Sequence, residues 1–245
     1  SFFETIHARA YSHIVKQTFV NPNQMLRDTY NSVETLVRSE AIVAAFNNLE
    51  QLPVDATIEE KREAIALAFA ALFALEAIAF MSSFAVTFAI TETGAFQGIG
   101  QEVTLIARDE ALHTRMDYAI LRILQQSPEW RESFKSLAPK IKEVLDSVVN
   151  QELKWADYLF SEGRQVIGLT STLLQEYTLY MAKPLYDALG VDFDFEVIEK
   201  NPCPYMSKYI DSSKMQVAPQ ELQITSYKIG SVKDDTENLD LDFDF

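Results

Sequence analysis

The sequence predicts an all-α protein, and three observations carry that expectation. Only 7 glycines and 8 prolines serve 245 residues, too few turn formers for an all-β fold. Hydrophobic residues make up 48% of the chain, enough for one sizeable core or two small ones. Most prolines and glycines fall at joints between long segments that read as helices.

The elements follow in order. A first helix is expected from about Phe3 to Phe19, stopping at Asn21-Pro22, and a second from Gln24 to Leu52, ending at Pro53. A third runs from Ile58 to Thr91, before Gly94, and a fourth from Gln101 to Gln125, before Pro128. A fifth is expected from Pro139 to Ser161, ended by Gly163, and a sixth from Thr170 to Leu189, ended by Gly190. Neither a fixed-period repeat nor a low-complexity linker divides the chain. The expectation is one helical domain over residues 1–216 and a flexible tail over 217–245.

Charge and composition exclude several roles. With 21 Lys+Arg against 36 Asp+Glu, the formal charge of −15 argues against a nucleic-acid partner, because phosphate neutralisation needs clustered cations. Residues 231–245 hold six acids and one lysine without a helical apolar stripe, and read as disordered when free. A lone cysteine, Cys203, makes no internal disulfide framework. With Ser1-Phe2-Phe3-Glu4 lacking a secretory pattern, a soluble, cytoplasmic protein is expected. From Ala64 to Ile90 the only charge is Glu76, long enough for a membrane span. A mid-segment carboxylate and poor flanking anchors favour a buried core helix instead.

Chemistry concentrates in a few residues. Two of the three histidines share one pattern, Glu4-Thr5-Ile6-His7 and Glu110-Ala111-Leu112-His113. Residues three apart are neighbours on a helix, so each pair converges on one point. Carboxylate plus imidazole suits iron or manganese. Glu76, alone in its apolar helix, must be protonated, paired (with Arg9 or Arg108) or metal-bound. One Glu-x-x-His alone is better read as an exposed hydrogen-bonded pair. Together with Glu76 the two copies match bundles that bind two metal ions through a carboxylate on each of two helices and Glu-x-x-His on each of two others. One carboxylate helix is absent. Tyr11 stands one turn beyond His7, and Phe80, Phe84 and Ile106 are spaced to enclose it in an apolar sleeve, although such residues are also ordinary core. A phenol shielded beside two metals is what a stored tyrosyl radical needs. His13 lies off this face and reads as structural.

The segments Phe3–Tyr11 (FETIHARAY), Leu75–Phe80 (LEAIAF), Ala107–His113 (ARDEALH) and Trp155–Phe160 (WADYLF) resemble the small (β) subunit of class I ribonucleotide reductase. Val217–Glu221 (VAPQE), followed by Ser226-Tyr227, resembles the start of that family's C-terminal tail, so the resemblance runs essentially from residue 1 to 245. It implies a ferritin-like fold, pairing of small subunits as a homodimer, and work with a large catalytic subunit. It implies that Glu4, His7, Glu76, Glu110 and His113 hold two iron ions, that O₂ serves to form a radical on Tyr11, and that Phe80, Phe84 and Ile106 line the radical's pocket. Asp109 matches the carboxylate that bonds a histidine ligand, here His7, on the radical's exit route. Tyr227 matches the tail tyrosine that relays the radical, with Glu221 assisting it, and residues 238–245 are expected to dock in the large subunit.

The function implied is a radical-storing di-iron subunit supporting reduction of ribonucleoside diphosphates to deoxyribonucleotides. Manganese suits the ligands equally. A ferritin-type iron-oxidising or storage protein would share the ligands without needing Tyr11 or Tyr227, and a catalytically silent structural subunit need not keep all five. The family pattern also calls for a sixth, carboxylate ligand and a relay tryptophan ahead of Glu4; Trp130 and Trp155 both lie after it. Truncation, a dead paralogue and a split subunit would each explain that. A chain truncated there should bare the apolar face of Ala64–Ile90 and aggregate. The favoured expectation is a split subunit, with a separate N-terminal piece bringing the carboxylate and the tryptophan.

Overall fold

Short polar side chains decide where four of the described helices begin. The computed structural model describes residues 2–211. Helix α1 spans Phe2–Thr18. Asn21 then accepts the Gln24 amide at 3.1 Å and Pro22 fills the first turn, where its missing N–H costs nothing, opening α2 at Pro22–Asn31. Ser32 closes α2 and accepts the Thr35 amide at 3.3 Å, opening α3 at Val33–Glu50. The single helix expected over 24–52 is therefore two, because a serine side chain substitutes for the backbone ladder at Ser32.

At Thr57 the cap is reciprocal. Its hydroxyl accepts the Glu60 amide at 3.2 Å while the Glu60 carboxylate accepts the Thr57 amide at 2.7 Å. Helix α4, Ile58–Ala74, runs without a break through a π-helical turn, Leu75–Ala79, into α5, Phe80–Glu92. The rod expected over 58–91 forms, with a wide turn the sequence did not announce. Helix α6 spans Gln97–Leu124, and α7 spans Pro128–Leu159. Pro128, not Pro139, starts α7; Pro139 lies inside it and removes one ladder bond. Thr170 caps α8, Ser171–Leu189, which ends on Gly190 in the left-handed region at φ 70°. A five-residue α9, Met206–Ile210, was not expected.

The α4–π–α5 rod is the spine. Helices α3 and α7 pack along α4, α6 along α5, and α8 along both α7 and the rod. One apolar cluster gathers Phe73, Ile78, Ile141, Leu145 and Tyr186; the other gathers Met81, Phe84, Phe88, Ile106 and Tyr177. The π turn lies where the two meet. Gly100 lets α6 approach α5, since a Cβ there would come within 2.5 Å of Thr91. Beyond α8, Tyr209 of α9 stacks on Phe88 at 3.9 Å, and Arg108 Nε donates to its carbonyl.

A buried ion pair locks the other side. Arg38 of α3 grips Glu152 of α7 with Nε and Nη2, at 2.6 and 2.8 Å. Its Nη2 also donates to the Ala79 carbonyl and the Ser83 hydroxyl, and its guanidinium lies 3.7 Å over the Trp155 ring. One side chain thus ties α3, α7 and the end of the π turn.

The rod is long and apolar enough to cross a bilayer, but 67% of its most apolar stretch is buried in the bundle. It is a core helix, and its faces are largely covered rather than bared. Apart from Ile58 and Ile65, exposed large apolar residues lie off the rod, among them Phe2, Phe3 and Ile6 on α1 and Leu112, Met116, Ile120 and Ile123 on α6.

Candidate metal centre

Three elements bring the five sequence-predicted ligands together. Helix α1 supplies Glu4 and His7, the π turn supplies Glu76, and α6 supplies Glu110 and His113. Glu110 forms the floor, 1% exposed. Its Oε1 lies 2.8 Å from His7 Nδ1 and its Oε2 lies 2.7 Å from His113 Nδ1. Glu4 reaches both imidazoles at 3.5 Å, and Glu76 Oε2 lies 3.9 Å from His113 Nδ1. One donor atom from each of Glu4, Glu110 and His113 lies within 4.8 Å of the other two. A π turn at a functional carboxylate is a recurrent device, because the wide turn re-aims a side chain without ending the helix.

The bonding is incomplete in a way that fits a metal. His7 Nδ1, despite its 2.8 Å approach, has no aligned hydrogen bond, and buried Glu76 Oε2 has no partner either. Burying such atoms bare is costly. Three carboxylates and two imidazoles with donor atoms turned to one space are a donor set for iron or manganese.

Electrostatics agree. Burial, a hydrogen bond shared with Glu110 and the Glu110 charge push Glu76 up to about 9. Burial is also the main reason Glu110 rises to about 7, with Glu4 and Asp109 adding to it and the Glu76 hydrogen bond opposing it. Near neutral pH Glu76 holds its proton and Glu110 holds one in part, until a cation replaces them.

Asp109 Oδ2 meets His7 Nε2 at 3.1 Å, on the side of the ring away from the centre. Tyr11 lines a cavity of about 420 Å³ with Phe80, Phe84, Arg38, Ser83 and Glu152. Ile106 belongs to the Phe84 cluster, with Ala10 and Ile14 of α1 packed against it. Burial and the charge of Glu110 raise the Tyr11 phenol to about 12. Even so, 43% of Tyr11 stays exposed, so the expected closed sleeve is open on one side. Protein atoms crowd the ring on its inner side while the cavity admits solvent on the other. His13 is exposed, off this face. Glu221, Tyr227 and the tail lie outside the described residues.

Two residues that the sequence reading passed over stand out. Glu152 occupies the core stripe of α7 and pairs with Arg38. Asp117, also buried, continues the Glu110–His113 face of α6, and burial followed by the Glu76 charge pushes its carboxyl up to about 7. The available signal was the same for both: an acid at a core position of an apolar helical stripe.

A helical bundle gathering carboxylates and imidazoles from facing helices is the arrangement of ferritin-like metal-binding proteins. More particularly, the chain belongs to the ribonucleotide reductase small chain family, whose model matches residues 1–202. It is 31% identical to the ribonucleoside-diphosphate reductase 1 subunit beta of Salmonella typhimurium, with 98% of this chain and 69% of that protein aligned. Identity to the subunit beta of enterobacteria phage T4 is 25%, over 97% of this chain and 69% of that one. The fold is shared with the ribonucleotide reductase R2 subunit from Clostridium botulinum at a TM-score of 0.73 and 22% identity. The alignment covers 85% of this chain and 63% of that structure, so the chain spans less than two thirds of that subunit.

Proposed function

We propose that this chain is the radical-storing part of a ribonucleoside-diphosphate reductase small subunit, with Glu4, His7, Glu76, Glu110 and His113 as metal ligands and Tyr11 as the radical site. The observation that carries the reading is the convergence of both Glu–His pairs on the buried Glu110, with Tyr11 one turn beyond His7. Two iron ions bound there, or a pair containing manganese, would supply with O₂ the oxidising power to take one electron from the phenol. The protein's own residues do the rest. Glu110 and Glu76 surrender their protons on loading, and Phe84 walls the cavity that Tyr11 lines. Asp109 holds His7 in orientation and begins the route by which the radical leaves. Glu221 and Tyr227 carry that route toward a large catalytic subunit, docked through residues 238–245.

The centre is open on one side. Glu4 has a 44% exposed side chain, the exposed Phe3 ring lies 6.4 Å from the His113 ring, and Leu112 and Met116 of α6 are exposed as well. An open carboxylate rim beside exposed apolar residues supports a cover over the site, in this proposal a separate N-terminal chain bringing a further carboxylate and a relay tryptophan. The same cover would complete the sleeve of Tyr11. Ferritin-type storage would leave Tyr11 without a role.

The test is turnover. The chain, its N-terminal partner and a large subunit should reduce ribonucleoside diphosphates, and Tyr11→Phe should abolish this while metal content stays unchanged. Turnover that survives Tyr11→Phe would overturn the reading.

A further inference from the structure

Asp117 lies outside the five-residue set but on the same face of α6, four residues beyond His113 and seven beyond Glu110. Only 6% of it is exposed, and its Oδ2 has no hydrogen-bond partner. Glu76, on the π turn packed against α6, is as deeply buried and carries a bare oxygen of its own, Oε2. The Glu76 charge acts on Asp117, and His113 acts on both carboxylates. Desolvated carboxylates with bare oxygens each require a proton or a cation. A proton would satisfy the carboxylates alone. A cation would also engage His113 Nδ1, which faces Glu76 Oε2.

We infer that Asp117 is a further carboxylate ligand of the centre, holding with Glu76, Glu110 and His113 the ion on the His113 side. The inference rests on the metal-centre reading above and adds to it. It makes the donor set of that half wholly this chain's own, whereas the His7 half, beside the open Glu4 rim, awaits its cover.

The probe is Mn(II) alone, titrated into the full chain, with bound ions counted from the loss of the free Mn(II) resonance and melting temperatures recorded with and without metal. One Mn(II) per chain is expected. Asp117→Asn should weaken its binding at least tenfold while the metal-free protein melts at or above the parent temperature, because a buried acid has gone. Asp117→Glu should retain the ion. If the Asn variant does not melt cooperatively, Asp117→Ser is read in its place. Binding lost in Glu76→Gln but unchanged in Asp117→Asn overturns the inference and leaves the centre standing. Binding unchanged in both variants overturns the centre together with the inference. No bound Mn(II) in the parent chain overturns the inference, because the half site it completes is this chain's own.

Discussion

His7 on α1 and Asp109 on α6 are 102 residues apart in the chain, yet Nε2 of one meets Oδ2 of the other at 3.1 Å. The contact fixes which face of the imidazole does what. With Nε2–H donating to Asp109, the Nδ1 lone pair is left toward Glu110 and Glu4, the tautomer a metal requires. A ring without that anchor is free to rotate or to carry its proton on the wrong nitrogen.

Asp109→Ala should therefore weaken metal binding by about tenfold or more, the usual effect of losing an outer carboxylate. Competition against a calibrated chelator measures it. Helical content should stay unchanged, since Asp109 caps no helix and fills no core.

The metal-free protein should lose stability as pH rises. Glu76 is raised from an ordinary 4.5 to about 9, so the folded chain binds its proton more tightly than the unfolded chain does. Its favourable contribution is complete below the unfolded value and disappears between there and about 9. Glu110, raised to about 7, acts in the same direction over a narrower window. Urea unfolding of the metal-free chain at pH 6 and pH 8 should give the lower midpoint at pH 8. Saturating metal should flatten or reverse that slope, because a cation replaces the protons.

Arg38→Met should destabilise the chain by about 3–5 kcal/mol, the cost of leaving a buried charge unpaired. Burial outweighs the arginine in setting Glu152, whose carboxyl stays above its ordinary range despite two short bonds to the guanidinium. The pair is thus a lock rather than a large net source of stability. Replacing both, Arg38→Met with Glu152→Leu, should recover most of the loss in denaturant titrations.

Much of this molecule is legible in its sequence where a local rule governs. Prolines, glycines and caps mark the ends of α1, α4 and α8, and the Glu-x-x-His spacing alone puts two ligand pairs on helix faces. The misses have a common cause. The break at Ser32 depends on a side chain competing with the backbone, and Pro139 is tolerated inside α7 because packing sustains the helix around it. The π turn under Glu76 leaves no mark in residue spacing. Arg38 and Glu152 meet across 114 residues, a pairing only the tertiary fold decides. Closure of the Tyr11 sleeve failed as an expectation because helical spacing gives direction but not what lies on the far side of the cavity.

Deleting residues 238–245, Asn-Leu-Asp-Leu-Asp-Phe-Asp-Phe, should abolish association with a large subunit while leaving metal loading untouched. Aromatic anchors commonly dominate such contacts. Surface-immobilised large subunit, probed with parent and deleted chains, reads this out. Equal binding by the two would reduce the segment to a solubilising tail.

The most direct measurement is electron paramagnetic resonance of the chain, assembled with the proposed N-terminal partner, after Fe(II) loading and exposure to O₂. The account predicts a tyrosyl signal that is absent from Tyr11→Phe, absent from Glu110→Ala because the metal is lost, and weak or missing when the partner is left out. A tyrosyl signal of parent intensity in Tyr11→Phe would contradict it.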